Sequence, residues 1–286
     1  ISSTQEDPTT TMLADGGFVI IWEDNGAGDG SGVFGQRYDA AGTAVGDEFR
    51  VNTYTNSTQD NAAVTALGDG FVVTWQDNSG HDGGSGIDVF GQRFDATGAK
   101  VGDDFLINAD ADSGSQYEPS VAGLGNDKFV VTWRDDQGGS HDKNDEDSTT
   151  GSSQDVRGQI FTTRDEDGNA LVTPVEAGSD FRVNTTTYQT QADPSVTSFS
   201  DGSFIVTWEA NYQDGDSSYY NIYAQRFDAD GTYEDDDGIA GTWSVDGNEV
   251  SLMTGDGPDR ARYFVSGNDL TMIFDYDTML KAAREG

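Results

Sequence analysis

Gly70-Phe71-Val72-Val73-Thr74-Trp75, then Val89-Phe90-Gly91-Gln92-Arg93-Phe94-Asp95 after a polar loop, then Phe105-Leu106-Ile107-Asn108, is the stretch whose reading decides the fold. The first segment is almost continuously apolar, the pattern of a strand buried on both faces. The second alternates, as a partly exposed strand does. Between the second and third lies Asp95-Ala96-Thr97-Gly98, where a glycine at the end of the turn supplies a positive φ and closes a hairpin.

Moving outward, the stretch is one of four copies. Each opens on Gln, with an acidic or amide residue two positions on and usually a proline after it: Gln5-Glu6-Asp7-Pro8, Gln59-Asp60-Asn61-Ala62, Gln116-Tyr117-Glu118-Pro119 and Gln191-Ala192-Asp193-Pro194. Strands ending at Trp22, Trp75, Trp133 and Trp208 follow, and after a loop come strands built around Gln36, Gln92, Gln159 and Gln225. The Asp-to-Gly turn recurs at Asp39–Gly42, Asp165–Gly168 and Asp228–Gly231. Phe49-Arg50-Val51-Asn52 and Phe181-Arg182-Val183-Asn184 repeat the closing strand, which the fourth copy lacks. The loop after each Trp varies in length while the strands do not, as expected of a repeat architecture.

Four short strands per unit, in tandem, predict an all-β, β-propeller-like chain with four recognisable four-stranded blades. A β-sandwich array is the alternative. The expected division is 1–232 for the four repeats and 233–286 for a divergent C-terminal β segment. That segment either closes the ring as a fifth blade or forms a small cap, and its tail, 277–284, has helix formers.

Fifty-two acidic residues stand against 15 basic ones, for a net charge of −37. Nucleic acid and anionic membranes are poor partners for such a chain, since both need clustered Lys and Arg. No run of ~20 apolar residues is present to span a bilayer. Without cysteine there are no disulfides, thiolate metal sites or cysteine nucleophiles. The acidity suits either hard cations such as Ca²⁺ or solubility in salt.

The Gln-x-(Asp/Glu/Asn)-Pro, Trp-terminated, Gly-Gln-Arg-aromatic-Asp and Phe-x-Val-Asn motifs together resemble tandem repeats of large secreted bacterial proteins, the calcium-binding or RTX-type adhesins and exoenzymes. The resemblance covers residues 5 to 231. The segment from Gly241 to Phe274 weakly resembles small lipocalin-like domains through its Gly-x-Trp. The resemblance implies an extracellular or bacterial-surface setting, calcium, and a polysaccharide or cell-surface glycan as partner.

The candidate calcium ligands are acidic residues in and beside the loops after each Trp: Asp24, Asp29, Asp77, Asp82, Asp88, Asp135 and Asp136. Gly83 to Phe90 matches one RTX nonapeptide, but a lone copy lacks the neighbouring coil that completes such a site. Asp165–Gly168 and Asp228–Gly231 imitate the start of an EF-hand loop without its closing Glu, so turn chemistry explains them better. The two histidines, His81 and His141, each precede Asp in corresponding loops, and histidine is suited to proton transfer near neutral pH. With Arg134 and Tyr219 they form the candidate catalytic set. Gln36, Gln92, Gln159 and Gln225 are expected to bond the backbone of the neighbouring unit, and the four tryptophans to pack between blades. The function expected is calcium-supported binding of extracellular polysaccharide or a cell surface through the loops. The alternatives are a polysaccharide-degrading enzyme, a uronate lyase or glycoside hydrolase, and a structural spacer of an adhesin.

Overall fold

The computed structural model describes residues 4–26, 31–80, 86–109, 114–136, 154–184, 190–211 and 220–232, and the strand backbones within 242–274. The first repeat forms β1 (Gln5–Met12), β2 (Phe18–Asp24), β3 (Gly32–Tyr38) and β4 (Ala44–Arg50), one antiparallel sheet in chain order. The second forms β5 (Gln59–Leu67), β6 (Gly70–Asp77), β7 (Asp88–Phe94) and β8 (Lys100–Leu106) in the same order. The third has β9 (Gln116–Gly125), β10 (Lys128–Asp135) and β11 (Asp155–Arg164), with its outer strand split into β12 (Ala170–Glu176) and β13 (Phe181–Arg182). The fourth has β14 (Gln191–Ser198), β15 (Phe204–Asn211) and β16 (Tyr220–Phe227). The described residues hold no helix.

The first strand of each sheet packs against the first strand of the next, so the sheets fan about an axis as propeller blades do. Each seam is a core of its own. Val19, Ile21, Val33 and Val51 of the first blade meet Phe71, Val73, Trp75 and Phe94 of the second. Val72, Val89 and Ile107 then meet Phe129, Val131 and Trp133, and Val130, Val156 and Val183 meet Phe204, Val206 and Trp208. Alternate residues of one buried strand therefore serve two seams, which is why Phe71 to Trp75 reads as continuously apolar. The tryptophans of the second, third and fourth blades pack between blades, as expected.

The closing motif folds over the glycine of the Gly-Gln strand. A Cβ on Gly35, Gly91 or Gly158 would stand 2.7 Å from the ring of Phe49, Phe105 or Phe181 respectively. The fourth blade has no such phenylalanine, and there the glycine is replaced by Ala224. The Asp-to-Gly turns also form as read: Asp39, Asp95, Asp165 and Asp228 each accept the N–H of the glycine three residues on, with φ between 81° and 86° at those glycines.

The amides of the Gly-Gln strands differ from expectation. Gln36 Nε2 donates to Arg37 O at 2.9 Å and Val45 O at 3.2 Å, and Gln92 does likewise to Arg93 O at 2.9 Å and Val101 O at 3.4 Å. Gln159 and Gln225 hold the carbonyl of the following residue, Ile160 or Arg226. All four bond within their own blade, and in the first two that is where the register with the outer strand slips. The side chain supplies the donor that the slipped ladder leaves missing.

In place of a closing strand, β16 pairs with β17 (Thr242–Asp246), and β18 (Glu249–Thr254), β19 (Gly257–Ser266) and β20 (Asp269–Phe274) continue the same antiparallel sheet. The tail 277–284 lies outside the described residues.

Candidate functional site at the axial mouth

The Gln-x-(Asp/Glu/Asn)-Pro motif is a β-bulge set opposite the tryptophan. Glu6 pairs with Glu23 and Thr9 with Ile21, so Asp7 and Pro8 together face Trp22. Asn61-Ala62 faces Trp75, Glu118-Pro119 faces Trp133, and Asp193-Pro194 faces Trp208 in the same way. The first residue of each bulge is left-handed, with φ of 48° at Asp7, 50° at Asn61, 57° at Glu118 and 49° at Asp193. Asn and Asp tolerate that region better than other side chains, and strained bulges gather where a side chain must be aimed.

All four are aimed at one place. Asp7, Asn61-Ala62, Glu118-Pro119 and Asp193-Pro194 line a single open cavity of about 310 Å³ on the axis. Adjacent blades are stitched there. Asn61 N donates to Glu23 Oε1 at 2.6 Å, and Glu118 N to Gln76 Oε1 at 3.2 Å. The third blade has Arg134 at that position, which has no acceptor to offer. Instead Asp193 N donates to Glu118 Oε2 at 3.0 Å, while Arg134 holds Glu118 Oε1 at 2.7 Å and lies over the Tyr117 ring.

Burial raises three carboxyls around this mouth. Glu23 is only 5 % exposed, and desolvation pushes its pKa to about 7, against the Asn61 N–H, with Asp60, Asp7 and Glu6 adding negative charge. Asp60 is raised by burial, opposed by the Gln76 side chain. Glu118 is raised by burial, opposed by the Asp193 N–H and by Arg134. Since Glu23 holds its proton more tightly when folded, its contribution is fully present below about pH 4.5 and is lost as pH rises through about 7. Glu23→Gln is therefore expected to match the wild-type stability at pH 4.5 and exceed it by on the order of 2 kcal/mol at pH 8. Denaturant unfolding of both proteins across that range checks this, and parallel curves would contradict it.

Gln5 pairs with Asp24, Gln59 with Asp77 and Gln116 with Asp135, so the loops after each Trp leave from the same end as the mouth. His81, His141, Tyr219, Asp29 and Asp82 fall in those loops, outside the described residues. Arg134 is at the mouth, paired with Glu118. The remaining expected ligands, Asp24, Asp77, Asp88, Asp135 and Asp136, are not among the residues that line the cavity. Asp24 accepts from Gln5 Nε2 and Gly26 N, and buried Asp77 accepts from Ser79 N. Asp88 accepts from Asn108 Nδ2 at 2.9 Å and Asp135 from Gln116 Nε2 at 3.1 Å, while Asp136 donates its backbone N–H to Ser115 O. Among the described residues no group of three or more His, Asp or Glu is placed to hold a metal ion.

Asp7, Asn61, Glu118, Asp193, Glu23 and Asp60 were not among the sequence candidates. The available signal was an acidic or amide residue at the same place in every copy, followed in three of the four by a proline that a regular inner strand would not carry.

No protein-family profile and no curated protein matches the chain. Several solved structures do. A protein of unknown function from Dyadobacter fermentans has a TM-score of 0.51 at 11% identity, over 96% of this chain and 83% of that one. An α-L-arabinanase of Penicillium chrysogenum complexed with arabinobiose has 0.49 at 13%, over 95% and 81%. An α-L-arabinofuranosidase of Fusarium graminearum with arabinobiose has 0.47 at 12%, over 90% and 80%. At such identities the likeness concerns fold alone.

Proposed function

We infer that the axial mouth cleaves glycosidic bonds of a neutral polysaccharide. The observation that carries this reading is the convergence of four equivalent left-handed bulges on one cavity, with burial raising the proton affinity of the carboxyls around it. Glycoside hydrolysis needs one carboxyl that keeps its proton for the leaving oxygen and a second that serves water or the anomeric carbon. Glu118 lines the cavity and is raised by burial, which fits it for the donor; Asp7 and Asp193 at the exposed rim are placed for the second role. Arg134 is a positioning residue that holds Glu118. Glu23 acts beneath the mouth by fixing the Asn61 bulge.

The charge selects against acidic glycans. A polyuronate would meet Asp7, Glu118 and Asp193 with Arg134 already committed to Glu118. Neutral sugars offer hydroxyls to these acceptors and a C–H face to Pro119 and Pro194. Incubation with arabinan, galactan and xylan, beside polygalacturonate and alginate, is expected to release reducing ends from a neutral polymer only. Retention of a neutral polymer without new reducing ends would make the mouth a binding site. Ultraviolet-absorbing products from the uronates would make the chain a lyase.

A further inference from the structure

Each of the three seams between blades is closed by the same two contacts. The phenylalanine of Phe-x-(Val/Ile)-Asn lies on a stacked aromatic pair of the next blade: Phe49 is 5.1 Å from Phe94 and 6.2 Å from Phe71, Phe105 is 5.9 Å from Phe161, and Phe181 is 5.1 Å from Phe227. The asparagine of the same motif donates to the glutamine that opens the next blade. The distances are 2.9 Å for Asn52 to Gln59, 2.9 Å for Asn108 to Gln116 and 3.2 Å for Asn184 to Gln191. All three of these glutamines are at most 1 % exposed.

The first blade carries the receiving half of this contact, and none of the described residues lies on it as a closing motif. Phe18 and Tyr38 stack at 5.0 Å with 12° between rings, as Phe71 and Phe94 do at 4.7 Å and 8°. Gln5 is exposed, and among the described residues its one partner is Asp24 at 3.3 Å. Phe18, Ile20 and Trp22 are half-buried where Phe71, Val73 and Trp75 are sealed, and Met12 is 63 % exposed. Phe18, Ile20 and Met12 border an apolar groove of about 510 Å³. A continuous apolar surface of this kind marks a docking site.

The geometry points to one occupant: a further repeat unit of the same kind, outside these 286 residues, whose Phe-x-(Val/Ile)-Asn strand sets its phenylalanine on Phe18–Tyr38 and its asparagine on Gln5. Three internal seams show this pairing. A second copy of the chain cannot supply it, because all three of its closing motifs are engaged in its own seams. The C-terminal strands cannot supply it either, because no Phe-x-(Val/Ile)-Asn occurs after Asn184. The surface is heterologous, so it extends the fan in one direction.

The test uses the full chain and a synthetic peptide of residues 47–58, DEFRVNTYTNST, which holds the motif and no tryptophan. Acrylamide quenching of the wild type minus that of Trp22→Phe reports Trp22 alone. The peptide is expected to reduce quenching of Trp22 at least threefold with saturation below ~1 mM. A peptide with alanine for both the phenylalanine and the asparagine should bind at least tenfold more weakly. Gln5→Ala, at an exposed side chain, should weaken the native peptide while leaving the melting temperature unchanged. Equal binding of the two peptides, or no binding up to 1 mM, overturns the proposal. So does a free chain in which Trp22 is already as inaccessible as a buried indole, or in which sedimentation shows a dimer that shields it.

Discussion

Glu118→Gln is expected to lower glycan hydrolysis by about 10²–10⁴-fold, the span for loss of a general acid, while retention of the same polysaccharide changes little. The amide has nearly the shape of the acid, so its oxygen can still accept the Asp193 N–H that Glu118 Oε2 takes at 3.0 Å. What it loses is the capacity to take up and release a proton, and the negative charge that pairs with Arg134 whenever Glu118 is ionised. Because that pair is partly exposed, the stability loss should be about 1 kcal/mol or less, which separates a lost reaction from a lost fold. Arg134→Met gives the second reading. The cation opposes the rise that burial imposes on Glu118, so its removal should raise the Glu118 pKa further. If cleavage needs the protonated form, the alkaline limb of the kcat/KM profile moves to higher pH in Arg134→Met. Hydrolysis by Glu118→Gln within threefold of wild type would remove Glu118 from the chemistry.

The strands of this fold are legible because burial writes itself into residue type. Phe71 to Trp75 serves two seams and has no polar face, and Asp95 to Gly98 needs a glycine at positive φ. The repeat therefore yields the blades and their turns. The mouth is less legible because a bulge is a matter of register, and register is decided between strands. Nothing in Glu118-Pro119 alone says that two residues stand opposite Trp133, or that a glutamate is held at φ 57°. The amides mislead for a related reason: Gln92 and Gln116 are both recurrent and buried, yet one patches a slip inside its blade and the other receives the next seam. Only their partners tell them apart. The loops after each Trp, where His81 and His141 fall, vary most in length among the copies, and a repeat pattern says least where its copies differ.

Asn108→Leu should lower the stability of the folded chain by about 3–5 kcal/mol, since it orphans several buried polar groups at once. Asn108 is 3 % exposed. Its Oδ1 accepts Val89 N at 2.7 Å, and its Nδ2 donates to Asp88 Oδ1 and Gln116 Oε1, both at 2.9 Å. Gln116 in turn donates to Asp135, so one side chain ties the end of the second blade to the inner two strands of the third. Leucine fills similar space, so the loss comes from desolvated groups left without partners rather than from a cavity. Asn108→Asp sharpens the point. Its Oδ1 can still take Val89 N, but a second carboxyl oxygen would then face Asp88 and Gln116 Oε1, two acceptors, and at pH 7 the aspartate variant should be no more stable than the leucine one. Denaturant unfolding at pH 7 measures both. A loss below about 1 kcal/mol for Asn108→Leu would mean that the seams are held by the aromatic contacts alone, with the amide relay contributing direction but little energy.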